Sequence, residues 1–468
     1  MGLLKKPRGI RIIDTEPIRK GDAVTRLTVL ISGLGNFVRG QYIKGAIFFC
    51  VQVLSWLALL LVGLPYFKDL GTLGTQERTQ VFDEVEQIYV YKQGDNSMII
   101  LLYSVFILAF IAACIFIHYM ALKSAYAAQI DKEQGRKPAS FRTDIKNLFD
   151  KNMHSTMLTL PTIGVIAFTV LPILFMICLA FTNFDRDHQP PGNLFTWVGL
   201  QNFRNMLAGG GITGGAFFRV LGWTLIWAVC ATFLNYFFGI ILALMINKKG
   251  IRLKSLWRTS FVIAIAVPGF VTLLFMRQLL NDTGTFNVLL KQIHIGLQNI
   301  GLIKESVQFE PVHFLTSVTS ARLTVIIVNL WIGIPYTILI TSGLLMNIPA
   351  DLYEAARIDG AGTVRQFRSI TMPYMLAATT PYLITQFIGN INNFNAIFFL
   401  TAGDPKDLLY APAGKTDLLI TWLYKLTVTY QDYNLASVIG IITFVICGII
   451  ALVTYNLTAS AKREETFR

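Results

Sequence analysis

About eight apolar runs, at roughly 45–66, 98–120, 156–182, 220–246, 259–280, 323–346, 376–400 and 435–457, punctuate this 468-residue chain. Each is about twenty residues long, enough for an α-helix to cross the ~30 Å hydrocarbon core of a bilayer. No water reaches backbone N–H and C=O groups in that core, so runs of this length fold as helices. Only 14% of residues are charged and mean hydropathy is +0.55, whereas soluble domains are about one-quarter charged. The fold class is therefore an all-α polytopic membrane protein with about eight transmembrane helices.

The formal net charge of +13 invites a nucleic-acid reading, but its distribution points elsewhere. With both termini on one side, roughly 27 of the 40 Lys and Arg residues fall on that side. That asymmetry predicts cytoplasmic termini and makes the basic excess topological, with no nucleic-acid partner. The first 44 residues are too polar to hold a signal-peptide core, so the first span is expected to serve as an uncleaved anchor. The stretch Gly33-Leu34-Gly35-Asn36-Phe37-Val38-Arg39-Gly40-Gln41 reads as an interfacial lead-in without chemistry. All five cysteines (Cys50, Cys114, Cys178, Cys230, Cys447) fall inside predicted spans, none at metal-ligand spacing. They read as small buried hydrophobes.

Ion-coupled carriers need ionisable groups at membrane depth. Here Arg219, Arg277 and Arg322 sit at span edges, and His118 lies near the cytoplasmic end of the second span. Energy for transport is thus expected to enter from outside the bilayer. Gly414-Lys415-Thr416 resembles half of a phosphate-binding loop, but the glycine required five residues before Gly414 is Leu409. No serine-hydrolase elbow, zinc-binding HExxH or paired-acid cluster is present, so enzyme chemistry is not expected.

Residues 353–373, YEAARIDGAGTVRQFRSITMP, form a polar stretch between two long apolar runs. Asp351, Glu354, Ala355 and Ala356 suit the opening of a helix, where acids oppose the positive dipole end. Asp359-Gly360-Ala361-Gly362 breaks it. Thr363 is expected to cap a second short helix with Val364, Phe367 and Ile370 on one face, and Pro373 to mark where the next span begins. The product is a compact knob with an acidic tip. In the membrane, Gln386, Asn390 and Asn393 fall at i, i+4 and i+7, one face of a helix, with Asn392 and Asn395 on adjacent faces. Such a stripe faces a wet cavity or makes interhelical hydrogen bonds; the cavity is the favoured reading. Gly333-Ile334-Pro335-Tyr336 is expected to interrupt span six, with Tyr336 stacking on a ligand ring or donating its hydroxyl.

Glu354-Ala355-Ala356, Gly360 and the later Ile370-x-x-Pro373 resemble the coupling motif of binding-protein-dependent ABC import permeases. The segments VNLWIGIPY (328–336), GLLMNIPADLYEAARIDGAG (343–362), NNFNAIFFLTAGDP (392–405), PAGKTDLLITWLY (412–424) and VGLQNFRNML (198–207) resemble MalF-type maltose and maltodextrin permease subunits. The resemblance covers about 156–468 closely and the first two spans loosely. It implies two domains: 1–155, a lead-in with two extra spans, and 156–468, a six-helix permease core with its coupling loop at about 350–374.

It also implies that Glu354, Ala355, Ala356, Asp359 and Gly360 couple to a separate ATPase. That ATPase is a homodimer which binds ATP and Mg, leaving this chain without a cofactor. The further partners implied are a second homologous permease subunit, an extracytoplasmic solute-binding protein and membrane lipid. By residue match Ile332, Gly333, Tyr336, Asn390 and Asn393 occupy substrate-contact positions, joined by Gln386 on the stripe. The chain departs from the pattern at Ile265 and Gly269, where a tyrosine and a serine are expected. It departs again at Gly389, where a bulky aromatic is expected. A roomier pocket follows, suited to a longer malto-oligosaccharide or a different glycan. The outer loop at 183–217, with Gly209-Gly210-Gly211, is too short for the inserted domain of some relatives. Contact with the binding protein is then left to loops 67–97, 281–321 and 401–434; the acids Asp83, Glu84 and Glu86 read as solubilising. The rivals are a permease for another sugar derivative, a stand-alone secondary carrier and a membrane scaffold.

Overall fold

The computed structural model describes residues 15–208, 211–248, 250–406, 409 and 412–457. Gly209 and Gly210 of the glycine run, the first fourteen residues of the basic amino terminus and part of the 401–434 loop lie outside these. Two compact units divide between Val198 and Gly199, whereas the resemblance places its boundary at 155.

In the first unit, three short helices, α1 (Glu16–Lys20), α2 (Ala23–Leu27) and α3 (Leu34–Val38), lead into the span Tyr42–Gly71. The loop that follows carries an antiparallel hairpin, β1 (Thr79–Asp83) and β2 (Ile88–Lys92), with Val81 opposite Val90 and Asp83 opposite Ile88. Its base is clamped by Asp95, whose carboxylate accepts the N–H groups of Thr75 (2.7 Å) and Gln76 (2.9 Å). Those bonds hold the Asp95 carboxyl below its ordinary pKa. The hairpin thus carries exposed Phe82, Val85, Tyr89 and Tyr91 beside the expected acids. The helix Ser97–Glu133 starts on an Asn96 cap and extends well beyond the expected span, so its last turns leave the apolar region. The span Met153–Leu179 completes the unit, with only 6% of its apolar window buried.

In the second unit, the helix Thr213–Asn247 packs along Val318–Leu345. Their shared core gathers Trp223, Trp227, Val325 and Val328 with Ile397 and Leu400. The expected run 259–280 is two helices, Lys254–Ala266 and Gly269–Leu279, bent by 89°. Val267 is extended (φ −79°, ψ 124°) because the following Pro268 disfavours the helical region for it. Among the described residues, six helices are long and apolar enough to cross a membrane, or seven counting the bent pair as one span. The remaining expected crossing, 376–400, is the helix Met372–Ile391 followed after a break by Phe394–Leu400. The former is interspersed with threonines, prolines, Gln386 and Asn390, which lowers its hydropathy. The last span is Tyr433–Leu457.

Two local expectations change. Span six is one continuous helix through Gly333 and Pro335; Pro335 is buried, and Thr337 caps the Gly333 carbonyl with its hydroxyl at 3.2 Å. The second knob helix is the start of the next span. Residues Thr363–Gln366 run through a π-helical turn, Phe367–Thr371, into Met372–Ile391, and the wide turn admits Pro373, which has no N–H to give. Gly362, with Thr363 as first helical residue, takes the cap position.

Candidate functional site

A cavity of about 470 Å³ opens in the second unit among three helices. Thr213–Asn247 contributes Thr232, Asn235 and Tyr236; Val318–Leu345 contributes Asn329, Gly333, Tyr336 and Thr337; Met372–Ile391 contributes Tyr382, Gln386 and Asn390. Asn393 closes the set. Its lining contains no charged side chain.

Asn390 donates from Nδ2 to the Thr232 hydroxyl at 2.9 Å, and its carbonyl accepts the indole N–H of Trp227 at 3.1 Å. Asn393 is not on the same helix as Gln386 and Asn390. The helix ends at Ile391, and Asn393 caps the next one by accepting the Ala396 N–H at 3.2 Å. Its Nδ2 turns back to Asn390 Oδ1 at 3.4 Å, so the break preserves the polar row. Asn392, by contrast, lines a separate apolar crevice with Phe444 and Cys447.

Gly333 serves close approach rather than a helix break. A Cβ there would lie 2.5 Å from Asn235 Nδ2, so any side chain would have to displace the Asn235 amide. Asn235 itself donates to the Ala231 carbonyl at 2.7 Å, while its buried Oδ1 has no protein partner. A π-helical turn, Cys230–Leu234, immediately precedes it and sets the local register of Thr232 and Asn235.

Gly333, Tyr336, Gln386, Asn390 and Asn393 of the sequence-derived set meet at this cavity. Ile332 and Gly389 lie elsewhere. Ile332 packs on the cluster of Trp223 and Trp227, one helical step off the cavity face, and Gly389 is exposed with open space where a side chain would stand. Ile265 and Gly269 also fall outside the lining. Sequence reasoning missed Thr232, Asn235, Asn329 and Tyr382. Asn329 had a signal: it precedes Gly333 by four residues and Tyr336 by seven, the same face of one helix.

The coupling loop begins with the helix Ala350–Ile358. Gly360 has φ +74°; its N–H bonds the Arg357 carbonyl (3.0 Å) while that of Ala361 bonds Ala356 (2.8 Å). That pair is a Schellman end, which requires the left-handed conformation glycine adopts readily. Tyr353 and Thr371 hydroxyls meet at 2.8 Å and fasten the helix to the following span. Glu354, Ala355 and Asp359 are exposed and Ala356 is half-buried. Beside the expected acids, Ile358 and Val364 are 87% and 80% exposed. These two large apolar side chains stand in solvent on an otherwise polar loop.

Gly414-Lys415-Thr416 wraps a carboxylate instead of a phosphate. Buried Asp417 accepts from the Gly414 N–H (2.6 Å), Thr421 Oγ1 (2.9 Å) and Lys425 Nζ (2.6 Å). Burial pushes its carboxyl up, against the pull of Lys425. Arg322, expected to snorkel, lies over the Trp223 ring and donates to the Lys415 carbonyl at 3.0 Å.

Membrane-length helices around an uncharged polar cavity, with a polar loop closed by a Schellman end, suit a membrane transport subunit. Residues 235–463 match the family described as binding-protein-dependent transport system inner membrane component. The galactooligosaccharides transport system permease protein GanP of Bacillus subtilis is 34% identical over 445 residues, 94% of this chain and 99% of that protein. The maltodextrin permease MalC of Streptococcus pneumoniae is 31% identical over 449 residues, covering 94% and 96%. The maltose/maltodextrin permease MalF of Escherichia coli is 33% identical over 280 residues, 59% of this chain and 52% of MalF. The chain belongs to this family of binding-protein-dependent inner membrane permease subunits. A crystal structure of a bacterial alginate ABC transporter, in complex with an alginate pentasaccharide-bound periplasmic protein, shares the fold: TM-score 0.51, 20% identity, 68% of this chain and 97% of that one.

Proposed function

We propose that this permease subunit imports neutral, maltodextrin-like oligosaccharides, and that the 470 Å³ cavity is the part of the pathway where the sugar sits. The lining carries this reading. Four asparagines, a glutamine, three tyrosines and two threonines, without a charge, offer donors, acceptors and flat apolar faces to a hydroxylated ring. The Asn235 Oδ1 left without a protein partner is suited to accept a sugar hydroxyl. A phosphorylated or acidic cargo would instead require a cation there.

Energy enters through the coupling loop on the cytoplasmic side, where both termini also lie. Glu354 pairs with a basic residue in a groove of a separate ATPase homodimer, Ala355 and Ala356 allow close packing, and Ile358 adds apolar contact. Asp359 and Gly360 fix the turn. ATP and Mg²⁺ are held by that ATPase. One chain supplies one knob and the dimer has two grooves, so a second, related permease subunit completes the pathway. A solute-binding protein delivers cargo to the outer face.

The test is uptake of labelled maltose, longer maltodextrins and galactooligosaccharides by vesicles holding the four components. Preference for neutral oligosaccharides, with loss of uptake in Glu354→Lys, is the expected result. Cargo accumulation without the ATPase would overturn the coupling reading in favour of a stand-alone carrier. Strict selection of a disaccharide would count against the longer chain.

A further inference from the structure

The amino-terminal stretch around Gly33–Gln41 is unused by the transport reading, yet Gly35, Asn36, Arg39 and Gln41 all make hydrogen bonds involving side chains there. Lys44 and Lys68 bracket 23 uncharged residues, about 35 Å of helix, so the hydrocarbon core lies between them. Gln52 is about 12 Å along the helix from Lys44, well inside that core. Its Oε1 nevertheless accepts the Ser32 N–H, and its Nε2 donates to the Leu30 carbonyl, both at 2.8 Å. The tip of the turn between α2 and α3, residues 30–32, is therefore below the edge of the hydrocarbon core.

Irregular backbone at that depth has to be satisfied by protein, and here most of the turn's N–H groups are bonded, while the Ser32 hydroxyl is buried without a partner among the described residues. The Leu27 carbonyl takes the N–H groups of Leu30 and Ile31, each at 3.0 Å, and the Thr28 hydroxyl takes that of Gly35 at 3.1 Å. Gly33, at φ +85°, lies so near the first span that a Cβ would come within 2.2 Å of the Gly45 oxygen. Nearer the surface, Arg39 locks the element in place with a 2.7 Å ion pair to Asp22 and a 3.2 Å bond to the Ala125 carbonyl. The opposite side of the turn is apolar and open: Val29, Leu30 and Ile31 are exposed, Leu30 by 71%. Leu30 also borders a crevice of about 370 Å³ with Trp56, Ile115 and His118.

We propose that residues 27–38 form a re-entrant, phospholipid-binding element. The tip Val29-Leu30-Ile31 stands among acyl chains of the leaflet on the amino-terminal side, and the crevice beside Trp56 seats one chain. The occupant follows from position. Val29 and Leu30 share that crevice with Trp56 and Leu59 of the first span, and Trp56 is itself 57% exposed on the span's outer surface, which meets lipid. The helices leading to the tip carry Arg19, Lys20 and Arg26, a basic cluster that suits anionic phosphate. Lys20 is also paired to Glu16 at 3.0 Å, and Arg26 donates to the Arg19 carbonyl at 3.1 Å.

The experiment uses the full chain with its native cysteines replaced and one fluorescent label attached through Leu30→Cys, in mixed phosphatidylcholine–phosphatidylglycerol vesicles. A nitroxide deep in the acyl chain is expected to quench the label about twofold or more over a headgroup nitroxide, as burial in the leaflet requires. A label through Val85→Cys, on the exposed hairpin, is expected to respond to aqueous iodide. Leu30 labels quenched by iodide or by the headgroup probe would overturn the proposal. So would labels shielded from every quencher, which would mean that protein covers the tip. A second label site, Ile31→Cys, guards against local misfolding at position 30, and Gln52→Leu is expected to abolish the preference for the deep quencher.

Discussion

The coupling loop and the cavity belong to the same unit but are specified in different ways. In the loop, the contacts that shape the knob are local. The Schellman bonds span a few residues, and the Tyr353–Thr371 pair bridges 18 positions. In the cavity, Asn390 reaches Thr232 across 158 positions and is held by Trp227 across 163. A local motif is fixed by residue spacing, whereas a cavity is fixed by how helices rotate against one another. The loop should therefore fail through its own backbone, and the cavity through loss of partners contributed from elsewhere.

The largest effect is expected at Gly360→Pro. Proline holds φ near −65° and has no N–H, while position 360 needs +74° and donates to Arg357. Uptake should fall to background, as it should for Glu354→Lys, while membrane insertion and cargo recognition persist. Uptake at the wild-type rate in either variant would break the coupling assignment. Next comes Gly333→Val. Its side chain would collide with Asn235 at 2.5 Å or less, and overpacking of this kind costs about 1–3 kcal/mol. A lower thermal midpoint in detergent, with impaired uptake but retained ATPase binding, is the expected pattern. That separation is what local and tertiary specification predict.

The crossings were legible because hydropathy reports burial in lipid directly, and the knob because Glu-Ala-Ala, three residues, then glycine is a helix with its C-terminal stop. Legibility ended where neighbours decide. Pro335 suggested a broken helix, but the packed bundle carries it inside a continuous one. Asn393 matched a helical stripe through Asn390, yet the chain breaks at Asn392, and Asn393 reaches the cavity as a cap. Ile332 matched a family position one step from the cavity face. Asn235 and Tyr382 could be placed only once helices distant in sequence were seen together. Spacing puts Val364 on one helix face with Phe367 and Ile370, whereas in the structure it is 80% exposed, and Ile358 87%.

Within the cavity, Asn390→Leu removes the donor to Thr232 and leaves that hydroxyl buried and unpaired, a loss of about 1–3 kcal/mol. The KM for sugar-loaded binding protein should rise roughly tenfold, with ATPase association unchanged. Loss of ATPase association as well would mean that cavity and loop are not separable.

The smallest effects decide which face of span six meets the sugar. Asn329 lines the cavity, while Ile332 packs on the tryptophan cluster. Asn329→Leu should weaken cargo selection several-fold, the worth of about one hydrogen bond, with little change in thermal stability. Ile332→Ala should do the reverse, lowering stability by about 1–2 kcal/mol because Ile332 is only half-buried, with KM preserved. Uptake kinetics and thermal unfolding measured on the same two proteins test this directly. If Ile332→Ala raised KM while Asn329→Leu did not, the helix would present its other face to the sugar, and the position inferred from resemblance would stand over the one inferred from packing.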